Sequence, residues 1–371
     1  MTRQQLIRLR LHNQRLTGPS FTNPADVVRW FGAVQSQDLK GSLCAIGLRM
    51  RHATETRVEQ ALADRSIVRS WPMRRTIHCM AAEDARWMVR LLAPRGIDRM
   101  KPYHRAMGIT DDHLRRAGKV LEASLAGDKQ LTRTELYQRF NAAGVRTETV
   151  GLHLLTHWAQ AGLICIAACR KNQPTFALLE DWTPRGRDLS GDEALAELAR
   201  MYLQSHGPAT VKDFAWWSGL PMAEARRALS LIADRLTPIA IDGAEYWQMR
   251  ESPAPPDGPC AVLLLPPFDE YTVAYADRTA AADASVLPAI SHGLAANILV
   301  NGRIAGTWKR TLLPGNTVAV TPSLLRILNR KEQAGLAAAA ERYAQFTGKT
   351  LAGETSGRRA RTPKPKATRQ R

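Results

Sequence analysis

The sequence predicts an α+β protein of three tandem winged-helix units followed by a mostly β C-terminal module. Three observations predict it. A helix–helix–β-hairpin order recurs at a spacing of roughly 70–80 residues, a repeat of one supersecondary unit. Each recurrence closes in two alternating apolar segments around a short polar turn. Beyond the proline-rich stretch Ser252–Pro259, which reads as a linker, strand patterns dominate. With 371 residues, 44% of them hydrophobic, the chain is long enough for several cores. The divisions read as 1–110, 111–190, 191–252 and 253–350, with 351–371 a basic, disordered tail.

In the first unit, residues 3–16 form an amphipathic helix ended by Gly18-Pro19. Asn23-Pro24 then starts a helix expected over 24–37, because Asn caps well and Pro is harmless at the first helical position. Leu43–Met50 and the stretch from Thr54 supply two more helices. Ile67–Trp71 and Arg75–Met80 alternate as two strands with a turn expected near Pro72, which places Arg69, Arg74 and Arg75 in or near a wing. A helix runs from Ala81 towards Pro94, and 95–111 reads as a poorly periodic stretch.

In the second unit, Asp111–Leu125 is a helix and Thr132–Glu135 a capping box that opens the next. Thr147–Ala161 takes the recognition position, and strands flank the basic turn Arg170-Lys171-Asn172-Gln173. The third unit repeats this with helices over 192–205, from Thr210 and over 222–233, then a hairpin on Asp242-Gly243. The C-terminal module offers a buried strand over Cys260–Leu265, a hairpin on Asn301-Gly302 carrying Lys309 and Arg310, a strand at 317–321 and a closing helix over 324–346.

Charge is the loudest bulk signal, at net +18 with 52 Lys+Arg. The tail from Gly357 carries seven cations and no acid; without them the remainder is still +11. A basic body fits a polyanion, with nucleic acid favoured over an anionic membrane surface. No run of about 18 apolar residues exists to span a bilayer, and no signal-peptide core opens the chain. Five scattered cysteines favour a reducing cytoplasm, where a DNA-binding protein would associate with the nucleoid. No Walker loop, GxSxG, HExxH or dinucleotide fingerprint occurs.

The segment Gln35-Ser36-Gln37, after the helix bearing Trp30, is the candidate centre. Amides at i, i+2 diverge on a helix but share a face in extended backbone, so they converge only if the helix ends or bends here. Two glutamines at a helix end are, in general, solvated polar residues. The pattern nevertheless resembles the Gln/His–aliphatic–Gln/Asp motif of the AlkZ-type DNA glycosylases, with Ser36 departing at the middle position. Gly207-Pro208-Ala209-Thr210, Trp217-Ser218-Gly219-Leu220, Leu265–Tyr271 and Asn301–Trp308 are similar to the wider superfamily's pattern, over residues 8–350. The resemblance implies a winged-helix scaffold and a monofunctional enzyme that removes N-alkylated purines. Some members unhook interstrand crosslinks, often as self-resistance proteins.

An N7- or N3-alkylated purine is cationic and leaves without protonation, so two neutral amides suffice. Gln37 would position the water, and Gln35 would orient it or touch the sugar near C1′. Neither a cofactor nor a metal is expected. His153 and His157 share a helix face, but Cys165 and Cys169 in extended backbone lie about 13 Å apart, too far for one zinc. His78 reads as a satisfied core or interface histidine, with a catalytic role open because it lies in the same unit; Asp38 could serve as a general base, but adjacency on a helix points it elsewhere; and Asp269-Glu270 is either a carboxylate pair or a turn cap. The expected partner is duplex DNA with alkylated bases, clamped by a monomer through Arg69, Arg74, Arg75, Arg170, Lys171, Lys309 and Arg310. The rival reading is a winged-helix transcription regulator without catalysis, which would bind sequence-specifically as a dimer. Deleting 357–371 should lower duplex affinity and flatten its salt dependence, at about 0.9 in log–log slope per lost phosphate contact. Saturated single-turnover base release should hold; its collapse would make the tail part of the site.

Overall fold

Gly32 decides how the chain passes from its first helices into its largest sheet. In the computed structural model, α1 is Arg3–Asn13 and α2 is Pro24–Phe31, the latter capped by Asn23, whose Oδ1 accepts from Ala25 N at 2.9 Å. The helix expected over 24–37 stops six residues early. Gly32 has φ 75°, and a Cβ there would stand 3.2 Å from Met201 Sδ, so both the turn and the close approach require glycine. The backbone then extends as β1 (Ala33–Gln35). Residues 19, 172, 253–254, 256–261, 289–293, 354–357 and 360–371 lie outside the described structure. Most of the expected tail and of the expected linker falls there, although Leu351 ends a short strand and Arg358–Arg359 form another, in place of the disorder expected from 351; the strand expected from Cys260 is described from Val262 onward.

Asp38 caps α3 (Leu39–Gly47), and α4 (Glu55–Ala63) follows. β2 (Ile67–Met73) and β3 (Thr76–Ala81) form the first hairpin, with its two-residue turn at Arg74-Arg75 rather than near Pro72. Pro72 is absorbed where the register shifts between Ser70 and Met73, since a bulge needs no donor from it. α5 (Ala82–Leu92) continues into α6 (Pro94–Ala106), so the stretch expected to be irregular is helical despite Pro102. α7 (Asp111–Leu125), β4 (Leu131–Thr132), α8 (Arg133–Ala142) and α9 (Gly151–Gln160) precede β5 (Ile164–Arg170) and β6 (Gln173–Leu178). The capping box at Thr132–Glu135 is present.

After α10 (Leu179–Trp182) come α11 (Gly191–His206), α12 (Val211–Ser218) and α13 (Met222–Ser230). β7 (Leu236–Ile241) and β8 (Ala244–Met249) pair around Asp242-Gly243. β9 (Leu263–Leu265), α14 (Glu270–Val273), β10 (Asn297–Val300), β11 (Arg303–Leu313), β12 (Thr317–Leu324), α15 (Arg330–Phe346) and β13 (Thr350–Leu351) complete the chain. α15 begins later than expected because Asn329 and Glu332 form its capping box.

The architecture is mixed α and β. A six-stranded sheet runs β1-β3-β2-β5-β6-β4, so strands from 33–81 and 131–178 share one surface across the expected boundary at 110. A second sheet, β13-β12-β11-β10-β9, belongs to the C-terminal part, and β14 (Arg358–Arg359) pairs parallel with Ser323–Leu324 of β12. β1 is an edge strand lying on a seam between two apolar cores. Ala33 packs with the cluster of Met201, Phe214 and Trp217, whereas Val34 joins Phe31, Leu43, Ile46 and Val300 on the other side. Burying Phe31 completely contributes about 1.5–3 kcal/mol and fixes α2 at this seam.

Candidate active site

β1 pairs antiparallel with β3, which sets Gln35 directly opposite His78. Ser36 N donates to Ile77 O at 2.7 Å as the last backbone rung. The next rung is made by a side chain, because Ile77 N donates to Gln37 Oε1 at 2.8 Å. Gln35 thus ends the strand and Gln37 lies in the bend beyond it, its side chain taking the place of a backbone acceptor. Gln35 is only 7% exposed, whereas Gln37 is exposed.

Ser36 is fully buried. Its Oγ lies 2.7 Å from Ser42 Oγ and accepts from Arg69 Nε at 2.9 Å, while its carbonyl accepts from Arg69 Nη2 at 3.0 Å. A hydroxyl replaces the aliphatic residue here because a buried guanidinium needs acceptors. Arg69, placed by the sequence among the DNA-binding cations, is buried beneath the motif and holds it from behind.

The outer edge of β1 is closed by a carboxylate. Gln35 N donates to Glu270 Oε1 at 2.7 Å, and Trp217 Nε1 donates to Glu270 Oε2 at 3.1 Å. His206 Nε2 lies 3.4 Å from Glu270 Oε2, within ion-pair reach. Burial alone would raise the Glu270 pKa, but the His206 hydrogen bond and then the Arg74 charge hold it below the usual carboxylate range. Asp269 caps α14 and meets Arg49 in a buried bidentate pair at 2.8 and 2.9 Å. Asp269-Glu270 is thus both a cap and a structural carboxylate pair. Tyr202 stacks on His206 at 4.7 Å with Trp217 5.0 Å away, forming an aromatic floor that local periodicity does not reveal.

Arg74 folds inward. Its Nη2 donates to Gln35 Oε1 at 3.3 Å and lies 3.2 Å from His78 Nε2. His78 is buried, with Nδ1 2.9 Å from Thr76 O. Burial, then the Arg74 charge, push its pKa down to about 3, so the ring is a neutral acceptor towards Arg74. Asp38 Oδ1 accepts from Gly41 N at 3.0 Å as the α3 cap. Both carboxylates nearest the amides are therefore occupied.

Of the remaining expected cations, Arg75 is exposed with Nη1 2.9 Å from Met100 Sδ. Arg170 pairs with Glu135. Lys171 and Lys309 are exposed and pair with no carboxylate among the described residues. Arg310 donates to Tyr343 Oη at 3.2 Å and lies 3.9 Å from Asp38, which sets β11 beside the motif. No group of three metal-ligating side chains occurs among the described residues. His153 and His157 instead face His104, at 6.0 and 5.8 Å between ring centres.

Residues 28–346, most of the chain, match the family described as DNA glycosylase AlkZ-like. The chain belongs to that family. A family relative is 25% identical over 339 residues, 86% of this chain and 90% of its own, and is named interstrand DNA cross-link repair glycosylase of Streptomyces sahachiroi. The solved structure of the Streptomyces sahachiroi DNA glycosylase AlkZ shares the family fold with a TM-score of 0.81 at 22% identity, covering 97% of this chain and 100% of that one. No described helix is long and apolar enough to cross a membrane.

The depressed histidines fix a pH response. His78 near 3 and His157 near 4, the latter lowered by burial and then by His104, bind fewer protons folded than unfolded below 6.5. Stability should be full above pH 6.5 and decline as pH falls towards 4. His78→Gln should flatten that decline in urea titrations, and an unchanged slope would show that His78 is not held neutral.

Proposed function

We propose that this chain is a monofunctional DNA glycosylase that excises cationic, N-alkylated purines from duplex DNA. The observation that carries the reading is the Gln35–Gln37 segment, two neutral amides two residues apart at the end of an edge strand, each carbonyl held by a donor, while the nearby Asp38 and Glu270 are engaged as a helix cap and under the Gln35 backbone. Gln37, the exposed amide, positions the attacking water. Gln35, anchored behind it, orients that water or meets the sugar near C1′. A cationic base is already a good leaving group, so positioning and electrostatics supply the rate, and no general acid is needed.

Interstrand crosslinks and bulky natural-product adducts are included in the substrate range. The name of the Streptomyces sahachiroi relative supports this, as does the exposure of Gln37, since a bulky adduct cannot be flipped into a closed pocket. A role in repair or self-resistance follows from that range. The repeated helix and hairpin order serves as winged-helix units, and a monomer clamps one duplex with Arg75, Lys171, Lys309 and Arg310. Exposed Leu312 and Leu313 extend the same hairpin beyond Arg310.

Gln37→Ala should cut single-turnover excision of N7-methylguanine by roughly 10²–10⁴-fold, with melting temperature and duplex affinity nearly unchanged. Gln35→Ala acts in the same direction. Gln37→Asp should retain more activity than Gln37→Ala, because a carboxylate still activates water. Full excision by the Gln35→Ala/Gln37→Ala protein would end this assignment, and sequence-specific dimeric binding without base release would favour a regulator.

A further inference from the structure

Arg74 and Arg75 are adjacent cations at the two turn positions of the β2–β3 hairpin, with φ 51° and 59°. A two-residue turn of this hand is normally built from Asn and Gly, so two arginines there carry backbone strain. The turn sends them in opposite directions. Arg75 reaches outward to Met100, whereas Arg74 returns along β3 and is largely covered. Gly219, at φ 74°, lies against it, a Cβ there standing in ordinary contact 3.6 Å from Arg74 Cγ.

Donor and acceptor identities fix the orientation of what Arg74 touches. A guanidinium only donates, so the Gln35 atom facing it is the carbonyl oxygen, and the NH2 points away. His78 donates Nδ1–H to Thr76 O, which leaves the Nε2 lone pair to accept from Arg74. Glu270 supplies the opposing charge, and Arg278 a like charge nearby. Arg74 Nε is buried without a partner among the described residues, and Nη2 makes both contacts, to Gln35 Oε1 and to His78 Nε2. Gln35 N is already fixed on Glu270 at 2.7 Å, so the backbone of Gln35 and the end of its side chain are both anchored.

We propose that Arg74 is a positioning residue for base excision. It holds the Gln35 carbonyl inward, so that the amide NH2 and the second carbonyl lone pair face the reacting sugar. It is not a phosphate contact. The assignment rests on the glycosylase reading above and separates Arg74 from the cations that bind the duplex.

The test is a double-variant cycle on the full chain with duplex DNA carrying one N7-methylguanine. Saturated single-turnover release is measured for wild type, Arg74→Gln, Gln35→Ala and the combined protein, and affinity is titrated at several salt concentrations. Arg74→Gln should slow saturated release by about 10- to 100-fold, the scale of a small misplacement of a reacting group. Its affinity and salt slope should match wild type, and the combined protein should be no slower than Gln35→Ala. Arg74→Lys should recover only part of the rate, because a shorter, freely rotating ammonium fixes the two acceptors less rigidly than the planar guanidinium; it replaces Arg74→Gln in the cycle if that variant is unfolded at assay temperature. A salt slope reduced by about one with saturated release intact would make Arg74 a phosphate contact and overturn the proposal. Losses that multiply in the combined protein would overturn it too, by showing action independent of Gln35. A wild-type protein that releases no base overturns both readings. If wild type and Gln35→Ala behave as expected but Arg74→Gln releases at the wild-type rate, only the positioning role falls.

Discussion

The buried corner Asp269-Glu270 is the constraint on which the rest depends. Asp269 grips Arg49, which in turn donates to Ala45 O and to Gln14, and so ties α3 and the end of α1 to the C-terminal part. Glu270 takes the edge N–H of Gln35 and the indole N–H of Trp217, and so ties β1 to α12. Two ionised groups sit in a low-dielectric interior here, and removing one partner of such a pair typically costs about 3–5 kcal/mol. They are tolerated because almost every donor around them is used. An edge strand of three residues with an exposed amide at its end would otherwise be free to fray.

That corner explains how neutral side chains can be placed for chemistry without being the source of stability. The amides are held through groups that only donate: the Ile77 N–H on Gln37, and Arg74 on Gln35. Each carbonyl keeps one lone pair and each NH2 is left over, so the outward chemistry of both side chains is fixed by what lies beneath them. The carboxylates that could have competed as bases are turned to structural work, Asp38 as a helix cap and Glu270 under the backbone. The family's usual aliphatic middle residue is here Ser36, matched by the buried Arg69.

Features set by local chemistry were legible in the sequence. Asp242-Gly243 and Asn301-Gly302 form hairpins because both residues of each turn take positive φ, and Thr132–Glu135 is a capping box. The pairing of Gln35 with Gln37 was legible as a condition, namely that the helix must end before them. What ends it is Met201 pressed against Gly32, a contact from 169 residues away that no local window holds. The first turn was misplaced for a similar reason: Pro72 is the stronger local turn signal, but its neighbours are wholly buried and the strand continues through it to Met73. Arg69 and Arg74 look like surface cations in the sequence because arginine usually is one; only the acceptors on Ser36, Gln35 and His78 turn them inward. The helical character of 94–106 was hidden by Pro102 and by an apolar face that is mostly shallow.

The most direct measurement is an experimental structure of the protein on duplex DNA carrying a cationic pyrrolidine in place of the lesion sugar, a mimic of the oxocarbenium-like transition state. The account predicts that the pyrrolidine nitrogen lies against Gln35 and Gln37, within about 3–3.5 Å of an amide or of a water held by Gln37. Arg74 should still be on Gln35 Oε1. A pyrrolidine seated away from both amides, or Arg74 swung out onto a phosphate, would contradict it.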